Sequence, residues 1–135
     1  KGKVFVMISD GECQEGTTWE SLLIAAKHKL DNLVIIVDYN KLQALSKLED
    51  ALPLENLSKK FKAFNCNCVE IKKGHDFQSI LKGFKKLKSS SKPNVIVVHT
   101  IKGKGVKEFE QDPIWHARQL KGNEIEIGKK RLNLK

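Results

Sequence analysis

Two short polar segments hold the residues whose chemistry is most informative. Asp10 and Gly11 follow one apolar run, and Asn40 follows the next apolar run thirty residues later. Carboxylate, amide and backbone carbonyl oxygens are hard ligands of the kind that Mg²⁺ or Ca²⁺ takes, with water and phosphate completing the shell. Gly11 has no side chain, so a phosphate can approach its backbone closely, and a following helix N-terminus attracts anions. This pattern indicates a site for a divalent cation and a phosphate.

A plainer interpretation of the same residues remains open. Asp-Gly after a strand is a common turn, and the segment Asp38-Tyr39-Asn40 can simply cap another. Neither segment alone distinguishes a turn from a ligand site. The functional interpretation therefore depends on a fold that brings both segments to one place.

The pattern of apolar residues predicts such a fold. Four apolar runs predict buried strands at residues 3–8, 33–37, 66–71 and 94–99. Helices are expected at residues 17–29, 54–64 and 76–88, the first of them capped by Thr17 or Thr18. Strands that alternate with helices predict an α/β fold with a mostly parallel sheet flanked by helices. Ligands bind beyond the carboxyl ends of such strands, which selects residues 9–16, 38–42 and 100–105.

Length and composition narrow the class of protein. The 135 residues suit one domain, and regular patterning fades after residue 100 into a Gly/Lys loop and a charged tail at residues 121–135. No apolar stretch reaches the roughly 18 residues of a membrane span, and the N-terminus lacks the layout of a signal peptide. We therefore expect no membrane partner. A reducing, cytoplasmic compartment is the default for a chain whose three cysteines form no disulfide set. Because the chain opens on Lys1 and almost directly on a strand, we expect upstream sequence to be missing.

The basic charge and the cysteines each allow a second function. A net charge of +9 invites nucleic-acid binding, but the lysines are spread along the chain without interleaved aromatic residues, which favours a solvated basic surface. The cysteines, Cys13, Cys66 and Cys68, form neither an even disulfide set nor a CxxC pair. Residues two apart on a strand share one face, so two buried thiols explain the Cys66-x-Cys68 spacing better than metal or redox chemistry does.

An ordered set of motifs resembles the transketolase family. The set comprises Asp10-Gly11-Glu12, Gln14-Glu15-Gly16, Trp19-Glu20, Lys29-Leu30-Asp31-Asn32-Leu33, Val37-Asp38-Tyr39-Asn40, Gly74-His75-Asp76, Lys92-Pro93, Thr100-Ile101-Lys102-Gly103-Lys104-Gly105 and Trp115-His116. Its first part is similar to the thiamine diphosphate signature that runs from G-D-G to an Asn about thirty residues on. The resemblance extends to about residue 120. It implies that residues 1–120 are the C-terminal portion of a domain that binds thiamine diphosphate and Mg²⁺ (or Ca²⁺).

The resemblance also implies a role for individual positions. Asp10 and Asn40 match the metal-binding side chains, and Leu42 matches the position whose backbone carbonyl completes the protein ligands. Gly11 matches the glycine that contacts the diphosphate, and Lys102 matches a lysine near the diphosphate. The catalytic positions that it implies are His116, beside the diphosphate and the reacting centre, and Glu15, in a carboxylate network between paired active sites. His75 is expected to cap or pack, whereas His28 and His99 are expected to belong to the scaffold.

Three departures from the family pattern concern the same region. Ser9 replaces the first glycine of G-D-G, and Ala117 replaces the glycine that follows W-H. Ala44-Leu45-Ser46 stands where the family has an I-D-G-like turn, so Asp-Gly turn chemistry is absent there. The family's upstream histidines, and the glutamate that activates the cofactor, match no position of this chain.

The resemblance implies a component of a transketolase-like enzyme that transfers two-carbon ketol units between sugar phosphates. Its expected partners are sugar phosphates, a chain or domain that carries the activating glutamate, and a second copy in a dimeric assembly. By itself this chain is expected to be inactive. The alternative is a degenerate, non-catalytic domain that keeps the scaffold and acts as an interaction or regulatory partner.

Overall fold

A four-stranded parallel sheet forms the centre of the molecule. The computed structural model describes residues 2–44 and 46–134. The strands are β1 (Val4–Ser9), β2 (Leu33–Tyr39), β3 (Asn67–Ile71) and β4 (Asn94–His99), arranged in the order β1-β2-β4-β3. Every neighbouring pair is parallel. The predicted α/β fold with a parallel sheet is therefore confirmed.

Five α-helices and three 3₁₀ helices connect and extend the strands. The α-helices are α1 (Gly16–Lys27), α2 (Leu48–Ala51), α3 (Leu57–Ala63), α4 (Phe77–Phe84) and α5 (Asn123–Arg131) within the described ranges. The 3₁₀ helices in the same ranges span Gly11–Gln14, Lys107–Phe109 and Pro113–His116. None of the helices in residues 2–44 and 46–134 has the length and apolar character needed to cross a membrane.

Apolar side chains cover both faces of the central strands β2 and β4, because successive strand residues point to opposite sides. The prediction that residues 3–8 form a buried strand was wrong in its burial, since Val4–Met7 of the edge strand β1 are 40–71% exposed. On one face, Val37 packs with Leu22 of α1 and Phe61 of α3. Trp19 strengthens this cluster, since its ring centroid lies 5.2 Å from that of Phe61. The other face carries Val34 and its neighbours under Phe84 of α4 and Leu87. The helices therefore pack on the two faces of the sheet, while backbone pairing between strands sets their register.

Several predicted helix boundaries were wrong. Helix α1 begins at Gly16 with Glu15 at its N-cap, and neither Thr17 nor Thr18 caps it. The Thr18 hydroxyl instead donates to the carbonyl of Glu12, at 2.7 Å, because the 3₁₀ turn before α1 brings that carbonyl within reach. The helices predicted at residues 54–64 and 76–88 shorten to Leu57–Ala63 and Phe77–Phe84. Buried loop residues such as Leu54 extended the apolar periodicity beyond the helices themselves.

The expectation that regular structure fades after residue 100 was also wrong. Helix α5 forms within the charged C-terminal segment. A Cβ placed on Gly128 would lie 3.6 Å from the Phe109 ring, so α5 packs closely on the preceding loop. The Arg131 guanidinium also makes an ion pair with the Glu108 carboxylate. Because the helix is held by close packing and charge pairs and lacks an apolar stripe, the periodic pattern did not reveal it.

The three thiols are held in apolar surroundings, as predicted for structural cysteines. Cys13 and Cys66 are buried and Cys68 is partly buried, all within the apolar cluster formed by α1 and α3. Burial raises the pKa of Cys13 and of Cys68 to about 12, and that of Cys66 to about 11. These are the properties of inert packing residues, since the thiolate is the nucleophile and the metal ligand.

The folded protein is expected to resist thiol reagents at pH 8. A rise in the pKa of Cys66 from 9.0 to about 11 lowers its thiolate fraction about 100-fold, and the other two fall further. A chromogenic disulfide reagent should therefore label the native protein slowly and label all three thiols quickly in 6 M urea. Rapid native labelling of the Cys66-x-Cys68 pair would instead favour redox or metal chemistry there.

Candidate functional site

The ends of three neighbouring strands meet at one edge of the sheet. Ser9 pairs with Asp38, and Tyr39 pairs with His99, so β1, β2 and β4 stop at nearly the same level. Backbone hydrogen bonds continue just beyond the strands, because Asp10 N–H donates to the Asp38 carbonyl at 3.2 Å. The parallel register therefore places the three segments selected by sequence side by side.

A cleft of about 450 Å³ lies at this edge of the sheet. All seven site residues predicted from the motifs line it, namely Asp10, Gly11, Glu15, Asn40, Leu42, Lys102 and His116. Its lining consists of Ser9, Asp10, Gly11, Glu12, Gln14, Glu15, Asp38, Asn40, Leu42, Gln43, Ala44, Lys102 and His116. A larger cavity of about 660 Å³ lies on the other side of the Asn40–Leu42 segment, and only Asn40 and Leu42 of the seven line it. The smaller cleft is therefore the candidate functional site.

Asp10 is the buried charge of the cleft. Its side chain is 1% exposed, and Oδ2 accepts a hydrogen bond from Lys41 N–H at 2.6 Å. Burial raises the pKa of this carboxyl above 3.8, and the nearby charge of Asp38 adds to the rise. Hydrogen bonds from the Lys41 and Gly11 backbone, together with the Lys102 ammonium, act in the opposite direction. A cation in the cleft would compensate this charge, so the residue suits a metal ligand.

Asn40 has a defined amide orientation within the cleft. Its Oδ1 accepts from Leu42 N–H at 2.9 Å, and its Nδ2 donates to Asp38 Oδ2 at 3.4 Å. The Leu42 side chain is buried, and its backbone forms an antiparallel bridge with Lys47. Asn40 therefore retains one free lone pair on Oδ1, while packing fixes the segment that carries the Leu42 carbonyl.

The described chain gives no steric reason for glycine at position 11. A Cβ built there would meet Ser9 Oγ at 3.7 Å and Gln43 Nε2 at 3.8 Å, which are ordinary contacts. Its φ is also not among the positive values recorded for other glycines. Open space over this backbone is what a ligand needs for close approach.

Ser9 adds a structural feature to the turn that carries Asp10. Ser9 N–H donates to Glu12 Oε2 at 2.7 Å, and Glu12 N–H donates to Ser9 Oγ at 3.2 Å. This reciprocal pair is the pattern of a helix capping box, which the S-x-x-E spacing encodes. The departure from the family's first glycine therefore stabilises the turn.

Lys102 lies in a loop that hydrogen bonds tie to two other segments. Its carbonyl accepts from Gln111 N–H at 3.0 Å, and the adjacent Ile101 N–H donates to His75 Nε2 at 2.8 Å. His75 is exposed and supports this loop through that hydrogen bond, whereas Asp76 is the residue that caps α4, by accepting from Ser79 N–H at 2.7 Å. Lys102 lines the same cleft as Asp10, and its positive charge lowers the pKa of the Asp10 carboxyl.

His116 lies at the end of the third 3₁₀ helix, with an exposed side chain that lines the cleft. The adjacent Trp115 ring lies 4.6 Å from the Phe109 ring and 4.3 Å from the Arg118 guanidinium. Ala117, which replaces a family glycine, has φ −134° and ψ −10°, a conformation open to alanine. The substitution therefore leaves the His116 backbone unstrained.

An ion pair between Arg118 and Glu124 joins this loop to α5. Arg118 Nη1 and Nη2 contact the two Glu124 carboxylate oxygens at 3.0 and 2.6 Å. Glu124→Gln is expected to speed amide hydrogen exchange across residues 113–120, with little change in melting temperature, because it releases a local contact. The matched control Glu126→Gln, on the same helix, should leave that exchange unchanged. Equal rates in all three proteins would contradict a role for this pair in ordering the His116 loop.

The turn at residues 44–46 lies partly outside the described residues, because Leu45 is excluded. Ala44 lines the cleft, and Gln43 N–H donates to the Ser46 carbonyl at 2.9 Å. Gln43 also reaches across the cleft, where its Nε2 donates to Gln14 Oε1 at 2.7 Å. The prediction about the Ala44-Leu45-Ser46 turn itself lies outside the described residues.

The donor set of the cleft limits the kind of metal it suits. Within residues 2–44 and 46–134, no group of three or more His, Cys, Asp or Glu side chains is placed to hold a metal ion. Asp10, Asn40 and the Leu42 carbonyl instead offer three oxygens with one formal charge. Such a set suits a hard cation whose shell is completed by water and phosphate.

Sequence reasoning missed two residues, namely Asp38, which lines the cleft, and Thr100, which lines the larger cavity beside it. Thr100 donates its hydroxyl to Asp38 Oδ1, and Asp38 in turn contacts Asn40. Each lies at a strand end within a quoted motif, but nothing in the residue types showed that β4 lies beside β2. That adjacency was available only from the sheet order.

Comparisons with known proteins match the chain to one protein family. The family model described as "Transketolase, thiamine diphosphate binding domain" matches residues 1–135. The chain is 40% identical over 127 residues to an apulose-4-phosphate transketolase subunit from Actinobacillus succinogenes, covering 94% of this chain and 46% of the relative. It is 37% identical over 118 residues to the 6-deoxy-6-sulfo-D-fructose transketolase subunit SqwG of a Clostridium species, covering 87% of this chain and 42% of the relative.

A solved structure shows the same fold. The transketolase of Campylobacter jejuni superposes with a TM-score of 0.89 and 30% identity, covering 99% of this chain and 21% of that chain. The present chain thus spans less than half the length of each of these three proteins.

Proposed function

Because the chain belongs to the transketolase family and matches the family's thiamine diphosphate-binding domain, we propose that it anchors thiamine diphosphate through Mg²⁺. The enzyme to which it contributes would transfer two-carbon ketol units between sugar phosphates. The observation that carries the proposal is the single cleft that contains the buried Asp10 carboxylate and the six other predicted residues.

The chemistry of the cleft matches the needs of a diphosphate. Asp10, Asn40 and the Leu42 carbonyl would hold the cation, which suits their hard oxygen atoms. Gly11 would allow the diphosphate to approach its backbone, and the Lys102 ammonium would supply a fixed positive charge. When bound, thiamine diphosphate supplies the carbanion chemistry of ketol transfer, while this chain holds and orients it.

His116 and Glu15 would act closer to the reaction. The exposed His116 side chain lines the cleft, where it would bind phosphate or move a proton. Glu15, at the N-cap of α1, also lines the cleft and is exposed. We propose that it continues a carboxylate network toward a second copy of the site in a dimer.

The activating glutamate would come from another chain or domain. Two relatives are named as transketolase subunits, which supports an assembly of more than one chain. We therefore expect the 135-residue chain to bind cofactor without catalysing ketol transfer by itself. Cytoplasmic location, and partners that include neither nucleic acid nor membrane, belong to the same proposal.

Gly11→Ala separates a ligand site from a structural turn. Because the added methyl group meets only ordinary contacts, the variant should fold as stably as the wild type or slightly more stably. The methyl group would occupy space needed by the diphosphate, so affinity for thiamine diphosphate should fall at least tenfold. Calorimetric titration in Mg²⁺, on the protein purified with any partner chain that accompanies it, measures this loss.

Gly16→Ala is the matched control, because a Cβ there meets only Glu20 Oε1 at 3.5 Å and Gly16 does not line the cleft. It should bind the cofactor as the wild type does. A wild-type assembly that fails to bind thiamine diphosphate with Mg²⁺ would overturn the proposal and favour the degenerate, non-catalytic domain. Equal affinity of Gly11→Ala and wild type would remove Gly11 from the site.

A further inference from the structure

Asp38 and Thr100 are connected to Asn40 by hydrogen bonds, but the motifs assign them no function. We propose that Asp38, anchored by Thr100, is a positioning residue that orients the Asn40 amide so that its Oδ1 is presented to the cation. This inference rests on the proposed function, because it concerns how a ligand of the same site is held. It extends the site from the residues that touch the cation to those that fix their geometry.

The hydrogen-bond partners of Asn40 permit only one orientation of its amide. Leu42 N–H can only donate, and it lies 2.9 Å from Oδ1. The Asp38 carboxylate can only accept, and its Oδ2 lies 3.4 Å from Nδ2. A flipped amide would place donor against donor and acceptor against acceptor. Asp38 and the Leu42 backbone therefore select the rotamer from opposite sides.

Thr100 fixes the carboxylate that performs this selection. Its hydroxyl donates to Asp38 Oδ1, which leaves Oδ2 for Asn40. The Thr100 backbone is itself fixed, because its N–H donates to the Tyr39 carbonyl at 3.3 Å. The Thr100 hydroxyl, just beyond β4, thus helps to set the orientation of the Asn40 amide, just beyond β2.

The Asp38 backbone carries a related restraint. Its carbonyl accepts from Asp10 N–H at 3.2 Å, so the same residue contacts both residues proposed as side-chain metal ligands. The Asp10 carboxylate then holds Lys41 N–H at 2.6 Å, on the residue after Asn40. The two ligand residues therefore belong to one hydrogen-bonded unit centred on Asp38, in which a change at Asp38 or Thr100 is transmitted to Asn40.

Substitution of Asp38 or Thr100 should weaken Mg²⁺ binding although neither side chain is a proposed metal ligand. Loss of a residue that orients a metal ligand typically costs about 10–100-fold in metal affinity. Thr100→Val, which keeps the shape and removes the hydroxyl, and Asp38→Asn, which can also donate, should each raise the Kd for Mg²⁺ by at least tenfold. Thr100→Ser keeps the hydroxyl and should remain within about twofold of wild type. The measurement is calorimetric titration with Mg²⁺ at saturating thiamine diphosphate.

A double-mutant cycle of Asp38→Asn with Asn40→Ala distinguishes a positioning role of Asp38 from general destabilisation. If Asp38 acts through Asn40, then Asp38→Asn in the Asn40→Ala background should add less than a twofold further loss. Additive losses would overturn the proposal, because they would show that Asp38 acts independently of Asn40. The exposed Asp50→Asn on α2 serves as the control for a generic change of charge.

A spectroscopic readout tests the same geometry without cofactor. The side-chain amide protons of Asn40 should give one pair of NMR resonances that shifts in Thr100→Val and is restored in Thr100→Ser. An unchanged pair in Thr100→Val would overturn the inference. Normal amide shifts together with a failure of the wild type to bind Mg²⁺ and cofactor would instead overturn the proposed function alone.

Discussion

Asp10→Asn is expected to abolish Mg²⁺-dependent binding of thiamine diphosphate while raising the melting temperature of the cofactor-free protein by a few degrees. The asparagine oxygen can still accept the hydrogen bond from Lys41 N–H, so the fold keeps this contact. The buried negative charge disappears, and with it the cost of holding that charge away from water. Removing a buried charge that a functional site needs commonly raises stability at the expense of function.

The stabilising effect of Asp10→Asn is expected to depend on pH. Burial raises the pKa of Asp10 in the folded protein above its ordinary value of 3.8. In the wild type, protonated Asp10 therefore makes its full contribution to the free energy of unfolding below pH 3.8. That contribution is lost as the pH rises through the pKa that Asp10 has in the folded protein. The stability advantage of Asp10→Asn should accordingly grow from pH 4 to pH 7. Thermal unfolding of both proteins across this range measures it.

Addition of ligand should reverse the order of stability. Mg²⁺ with thiamine diphosphate stabilises the wild-type protein by mass action and leaves Asp10→Asn unchanged. Asp50→Asn, which alters an exposed carboxylate on α2, should behave as the wild type in both conditions. A cofactor-free Asp10→Asn protein that melts below the wild type would show that the carboxylate is needed by the fold itself.

Gly103→Ala is expected to lower the free energy of unfolding by about 3 kcal/mol, the sum of backbone strain and a steric clash. Gly103 has φ +76°, in the region that L side chains rarely adopt. A Cβ there would lie 2.3 Å from the Phe109 carbonyl oxygen and 2.8 Å from its carbon. Because both partners are backbone atoms, the loop must move, and the neighbouring Lys102 moves with it.

Gly122→Ala separates the two contributions. Gly122 has φ +52°, but a Cβ placed on it would meet nothing within 4 Å, so strain alone should cost about 1 kcal/mol. Urea titration of both variants gives the difference, which we expect to be about 2 kcal/mol for the clash. Gly103→Ala should also weaken diphosphate binding, whereas Gly122→Ala should not. Equal losses in the two variants would mean that the loop accommodates the methyl group freely.

Much of the fold was predictable because its signals are local. Continuous apolar runs predicted the four strands, and the 94–99 strand was placed without error. The first strand was displaced by one residue, and the second continues two residues further, to Tyr39. Helix ends were less accurate, since the loop residues Leu54, which is buried, and Leu87, which is partly buried, continue the helical pattern of apolar residues. Helix α5 was missed because ion pairs and close packing around Gly128 hold it.

The candidate site was predicted for a different reason. Its motifs lie at strand ends, and any parallel sheet brings such ends to one edge. The sequence therefore identified Asp10, Asn40 and Lys102 as neighbours without knowledge of the tertiary structure. The cleft that all seven residues line agrees with that expectation, while their roles toward metal and cofactor remain predictions.

Sequence by itself thus determined the proposed metal-binding pair, Asp10 and Asn40, and the parallel sheet that brings the two together. Tertiary structure alone decided that Asp10 is buried with a raised pKa, because burial depends on the helices that pack around the strand end. It also decided that Thr100 reaches Asp38, because the sheet order places β4 beside β2 although β3 lies between them in the chain. Residue types and spacing specify which atoms are available, and long-range packing specifies which of those atoms meet.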